Sequence, residues 1–255
     1  MQTSNRSTAS LLISLTLFLC AMLLLVIALL LVCHEGEDWL LVCEERLARE
    51  VFKRLLMYVL RARVNFEHLT GHWLAGVPQG SVAAAGSSLL APAHSPLRYA
   101  IVTAPPAYPA STKQEQLDLW RARELKQGVV WLQPVTSERF LPQMLGLERI
   151  GAVSFSKGCY PGQEIVARTH YLGKLKRQPV LLEIAVSIPI TAGEPCSLHS
   201  GGQVFDAVAV DSAVGENGRT IVLAVAPLEE SAAVEALGIA GTAWPSRRLA
   251  MAPEN

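Results

Sequence analysis

Charge is scarce in this chain, cysteine scarcer, and a surplus of either sign is missing altogether. Over 255 residues, 22 Lys+Arg meet 22 Asp+Glu, for a formal net charge of zero. A protein that coats nucleic acid carries a basic surplus, so that class is excluded. Only 17% of residues are charged while 51% are hydrophobic, which excludes a disordered chain. The five cysteines, Cys20, Cys33, Cys43, Cys159 and Cys196, are too few and too scattered for a disulfide framework. No two of them form a CxxC pair, which excludes a zinc ribbon or a thioredoxin-type site at the level of motif. No internal repeat is present. The chain is long enough to bury a substantial core, in one or two domains.

Apolar sequence is what the N-terminus has in excess. Residues 11–33, LLISLTLFLCAMLLLVIALLLVC, contain no charge. As a helix they would be about 35 Å long, enough to cross a hydrocarbon core of about 30 Å. The run also exceeds the signal-peptide apolar stretch of about 7–15 residues. The length rule therefore predicts a transmembrane helix, and Arg6 ahead of it, with Glu35, Glu37 and Asp38 behind, puts the N-terminus inside. A second reading competes. Residues 28–33 and 39–43 also read as two apolar strands joined by a five-residue loop containing Gly36, a hairpin pattern. The two readings exclude each other over residues 28–33.

Beyond this point, residues 44–63 have the spacing of an amphipathic helix, with Leu47, Val51 and Leu55 on one side and Arg49, Lys53 and Arg54 on the other. Residues 76–112 are rich in Gly, Ala, Ser and Pro, with a short strand predicted at Ala100–Thr103. A second helix is predicted over 113–127, ended by Gly128, with Leu117, Trp120 and Leu125 on its buried side. Val129–Leu132 reads as a short strand. The runs 179–186, 203–214 and 220–226 are β-rich and separated by Gly-containing turns, the pattern of a small antiparallel barrel or sandwich beginning near residue 178. From about residue 245 the chain reads as a loose tail.

One segment carries chemistry: KGCYPGQEIVARTHYLGKLKR, residues 157–177. Gly158 and Gly162 bracket Cys159 and Tyr160, and Pro161 removes a backbone donor and fixes one φ angle. Gln163–Arg168 then reads as a short helix, whose N-terminal N–H groups suit an anion or a thiolate. Lys157, Arg168, Lys174, Lys176 and Arg177 stand against Glu164 alone, a local excess of +4 in a neutral chain. Such an excess suits an anionic small molecule or an RNA edge. Taken singly, each residue has a plainer explanation: a lone cysteine is usually a small buried hydrophobe, and a short basic run a solvated face. The information lies in the combination.

The motif KGCYPGQE, with Ala167-Arg168 after it, resembles the signature of the YgfZ family, folate-binding relatives of the glycine-cleavage T-protein (an aminomethyltransferase) implicated in maintaining or repairing iron–sulfur enzymes. Trp120-Arg121, Gly128 and Phe140-Leu141-Pro142-Gln143 followed by Leu147 resemble the stretch upstream of that signature. The resemblance implies an α+β fold: a T-protein-like folate-binding domain, residues 34–177, then a small antiparallel β-barrel, 178–245, and a tail, 246–255. Residues 1–33 form the apolar N-terminal segment that would hold the transmembrane helix. Residues 1–27 do not resemble the family's N-terminal segment, so the folate domain is expected to be incomplete there, through membrane anchoring or an altered start.

The resemblance further implies tetrahydrofolate or a one-carbon derivative as cofactor, with Trp120, Arg121, Lys157, Tyr160, Gln163, Glu164 and Arg168 as candidate binding residues. An indole at 120 could stack on a flat pterin, or simply belong to the core. Cys159 is marked as the functional thiol, with no firm catalytic group and no stably bound metal, since one thiolate is an incomplete ligand set. Implied partners are folate and iron–sulfur client proteins or cluster-assembly factors, without direct nucleic-acid contact. The implied location is cytoplasmic, or membrane-anchored through residues 11–33. Three roles follow: an accessory factor for iron–sulfur enzymes, bearing indirectly on cluster-dependent tRNA modification; an aminomethyltransferase-like enzyme; or a membrane-tethered binding module. The Cys-centred signature favours the first.

Overall fold

The computed structural model describes residues 12–13, 25–35, 37–60, 63–77, 88–92, 96–102, 110–153, 166–168, 171, 175–227, 229 and 232–251. The architecture is α+β with a closed barrel of six antiparallel strands. Strands β1 (Leu12–Ile13), β4 (Trp73–Val77), β5 (Ser88–Pro92) and β6 (Arg98–Val102) make a sheet in the order β1-β5-β6-β4. Strands β2 (Leu31–Glu35) and β3 (Asp38–Val42) form a separate hairpin. Helix α1 (Glu45–Leu56) follows it, and helix α2 (Ala110–Lys126) leads toward the barrel. The barrel strands are β7 (Gln178–Ile184), β8 (Pro195–Ser200), β9 (Gln203–Val214), β10 (Thr220–Ala226), β11 (Ala236–Ile239) and β12 (Thr242–Arg248), closed in the order β10-β7-β12-β11-β8-β9.

Strand alternation builds two cores from one set of strands. Val180, Leu182 and Ile184 of β7 point into the barrel with Val222, Ala224 and Ala226 of β10, and with Leu198 and Leu237. The intervening Leu181, Ile221, Leu223 and Val225 point outward and pack with Leu125 of α2. Strands buried on both faces read as continuous apolar runs, which is why β7 and β10 were visible in the sequence. The β8–β9 hairpin turns at Gly201 and Gly202, both at positive φ, and β11–β12 turns at Ala240 and Gly241, again both positive. Such turns match the right-handed twist of the paired strands. Strand β12 extends to Arg248, so the tail expected from residue 246 begins later; its alternating exposure hid it.

A single apolar helix over residues 11–33 is excluded, because residues 12–13 and 25–33 are not helical; residues 14–24 lie outside the described residues. Leu12–Ile13 is a strand paired with β5, and Leu31–Glu35 pairs antiparallel with Asp38–Val42. Ile27, Leu30 and Leu31 are at most 1% exposed in the outer core. Each such side chain contributes about 1.5–3 kcal/mol by leaving water. The backbone confirms the change of role: the Val26 N–H donates to the Phe140 carbonyl at 2.9 Å, and the Glu138 N–H donates to the Val26 carbonyl at 2.8 Å. A membrane helix would satisfy these groups within itself. Among the described residues, no helix is long and apolar enough to cross a membrane.

Other expectations shift at their edges. Helix α1 stops at Leu56 rather than running to 63, and Leu60 takes a positive φ of 44°. Helix α2 ends as expected: the Gly128 N–H reaches the Leu125 carbonyl at 3.1 Å, and the Val129 N–H reaches Glu124 at 2.9 Å, a Schellman end with Gly128 at φ 77°. Leu117, expected on the buried side, is 49% exposed. Residues 129–132 are not a strand; Val129, Val130 and Leu132 are buried but unpaired with any strand.

Candidate functional site

Helix α2 packs against β9 and β10 on one side and faces the β4–β6 sheet on the other. Its two sides therefore carry different chemistry. Trp120 and Glu124, one turn apart, face the sheet. The Trp120 indole lies on Gly76 of β4, where any Cβ would overlap the ring. Its ring meets Tyr99 of β6 edge-on, with centroids 5.7 Å apart and planes at 79°.

The Glu124 carboxylate, 4% exposed, collects three donors on a single oxygen, Oε1. They are the Tyr99 hydroxyl at 2.8 Å, Trp131 Nε1 at 3.0 Å and Trp120 Nε1 at 3.1 Å. Burial raises its pKa; the three hydrogen bonds and the nearby Arg121 charge act in the opposite sense but do not cancel the shift. Tyr99 is raised as well, by burial and then by the facing carboxylate.

On the other side of α2, Arg121 is ion-paired with Asp211 of β9 through Nη2 and Oδ1. The Asp211 side chain is 4% exposed and that of Arg121 33%. Asp211 also accepts the Ser212 N–H at 2.8 Å. Burial pushes its pKa up to about 7, against the opposing pull of Arg121, and the Glu124 charge adds to the rise. One guanidinium thus serves two buried carboxylates. This arrangement can hold a proton near neutrality and can offer a partly exposed cation to an anion.

Phe140–Gln143 makes the second junction. Gln143 Nε2 donates to the Val166 carbonyl at 2.9 Å, tying the stretch before the cysteine segment to the residues just after it. Val166, Ala167 and Arg168 are helical, and Arg168 is exposed.

Of the residues singled out in the sequence, the structure brings together Trp120 and Arg121, each already engaged by the protein. Trp120 is shared among Gly76, Tyr99 and Glu124, and Arg121 is held by Asp211. Lys157, Cys159, Tyr160, Gln163 and Glu164 lie outside the described residues. Sequence reasoning missed Glu124, Tyr99, Trp131 and Asp211. Only the Trp–Glu spacing of four on α2 hinted at a pair, since that spacing shares a helix face. Among the described residues, no group of three or more His, Cys, Asp or Glu side chains could hold a metal ion. A shallow groove on the barrel, bordered by Ser197, His199, Gly238 and Thr242, belongs to other elements than these residues.

No family model matches the chain. Among curated proteins, it is 43% identical over 76 residues to the tRNA-modifying protein YgfZ of Colwellia psychrerythraea. That stretch covers 30% of this chain and about a quarter (24%) of the length of that relative. Over this stretch, the chain is similar to a YgfZ protein.

Proposed function

We propose that this protein is a folate-binding accessory factor that supports the assembly or repair of iron–sulfur enzymes, with Cys159 as its working thiol. The observation that carries the reading is the segment KGCYPGQE at residues 157–164, in a chain whose curated relative is named a tRNA-modifying YgfZ protein. An effect on tRNA modification follows here indirectly, through cluster-dependent enzymes that act on tRNA. In this reading, tetrahydrofolate or a one-carbon derivative meets the basic surplus of residues 157–177 and the side chains of α2. One indole face of Trp120 is spent on Gly76, so a pterin would take the other. A folate carboxylate would compete with Asp211 for Arg121, whose side chain is one-third exposed.

The test is rescue. A bacterial strain lacking its own YgfZ-type gene, and deficient in an iron–sulfur enzyme activity, receives the wild-type chain or Cys159→Ala. Wild type is expected to restore the activity and Cys159→Ala to fail at equal protein level, since loss of one small thiol costs the fold little. Full rescue by Cys159→Ala removes the thiol from the mechanism, and no rescue by wild type overturns the assignment.

A further inference from the structure

Helix α1 ends in a turn that displays apolar side chains. Leu47 and Val51 bury one side of the helix, and Arg54 pairs with Glu138 at 3.5 Å, which fixes its course. Past its end, the Tyr58 N–H donates to the Leu55 carbonyl at 3.0 Å and the Val59 N–H to the Leu56 carbonyl at 3.3 Å. The returning chain is held as well: Phe66 meets Phe52 edge-on, with centroids 6.0 Å apart. Between these anchors Leu56, Met57, Tyr58 and Val64 are exposed, and Leu60 is 88% exposed.

Leu60 is the outlier. Its φ of 44° lies in the left-handed region, which glycine or asparagine enters more easily than leucine. Asparagine would suit both the turn and the water around it better. An unfavourable conformation kept at an exposed position points to a use outside the fold. The surrounding charge narrows that use. From Phe52 to Val64 the sequence has four basic residues and no acidic one, in a chain of zero net charge, and Lys53 and Arg63 are exposed.

We propose that this turn docks the protein on an anionic lipid surface, with Met57 and Leu60 entering the acyl boundary and Lys53 and Arg63 meeting the headgroup phosphates. A bilayer interface accepts a protruding apolar turn without a matching pocket, and its negative leaflet matches the cations. Tyr58 beside them has the amphipathic ring that such interfaces favour. The contact is peripheral. It needs no spanning helix and uses none of the residues assigned to folate.

The test is flotation of the full chain with vesicles of phosphatidylglycerol and phosphatidylcholine, and with phosphatidylcholine alone. Wild type is expected to bind the anionic vesicles and to bind the neutral ones more weakly. Leu60→Asn is expected to hold the wild-type Tm or exceed it, because asparagine tolerates the positive φ, while its partitioning onto the anionic vesicles falls several-fold. Lys53→Gln and Arg63→Gln each lower that partitioning about fivefold. No vesicle binding by wild type, no preference for the anionic vesicles, or equal binding by wild type and Leu60→Asn overturns the proposal. So does a wild-type dimer in sedimentation that Leu60→Asn turns into a monomer, which gives the turn to a second copy of the chain instead.

Discussion

Replacing Glu124 with leucine strips one acceptor from three donors at once. The donors differ in how well they can recover. Tyr99 is 1% exposed, so its hydroxyl has no route to water and its loss costs about 1–3 kcal/mol. Trp120 and Trp131 are half-buried, and their N–H groups regain water in part. Leucine also removes the cost of burying a carboxyl, which offsets some of the loss. The expected net destabilisation is about 2–4 kcal/mol. Glu124→Gln keeps an acceptor at the same position and is expected to cost less than about 1 kcal/mol. The pH dependence separates charge from hydrogen bonding. Because the folded pKa of Glu124 is raised, the stability it contributes is full below the unfolded value of about 4.3 and is lost as pH rises through the folded value. Wild type should therefore lose stability relative to Glu124→Gln between acid and neutral pH. Urea unfolding followed by far-ultraviolet circular dichroism measures all three proteins. If Glu124→Leu lies within about 1 kcal/mol of wild type, or Glu124→Gln falls as far as leucine does, the three-donor account is wrong.

Asp211→Asn is expected to flatten the pH dependence of stability between about pH 4 and 7, since an aspartate raised to about 7 in the fold releases its proton at a cost that asparagine never meets. Thermal unfolding across that window checks it, and a mutant curve parallel to wild type would refute the shift; Glu124 leaves a residual slope in both. Tetrahydrofolate is expected to quench tryptophan fluorescence in wild type and not in Trp120→Ala. Quenching that survives the substitution moves the pterin away from α2.

Much of the fold was legible where a signal was local. Gly128 ended α2 because only the two preceding turns decide a Schellman end. Strands β7 and β10 declared themselves by unbroken apolar runs. The failures share a cause of the opposite kind. The apolar run at 11–33 met the membrane length rule, but what it packs against lies far along the chain: Ser137 Oγ donates to the Ile27 carbonyl at 2.8 Å, across 110 positions. Val129–Leu132 has strand composition, yet a strand needs a neighbour, and the described structure gives it none. At the site, Glu124 read as an ordinary helix glutamate, because two of its three donors, Tyr99 and Trp131, come from outside the helix.

The same facts change what a substitution at Trp120 can mean. Alanine there removes an indole that covers Gly76, an edge contact with Tyr99 and a donor to a buried carboxylate, all before any ligand is considered. Loss of folate response in Trp120→Ala would mix these effects. Phenylalanine keeps a smaller aromatic face for Gly76 and a pterin and removes the N–H, leaving Tyr99 and Trp131 on Glu124. If stacking is what the residue does for folate, Trp120→Phe binds and Trp120→Ala does not. If the residue acts by fixing Glu124, both fail together, and Glu124→Leu fails with them. The indole's place in the core is thus no argument against a ligand role. It means that the role can be assigned only by variants that remove one of its contacts at a time.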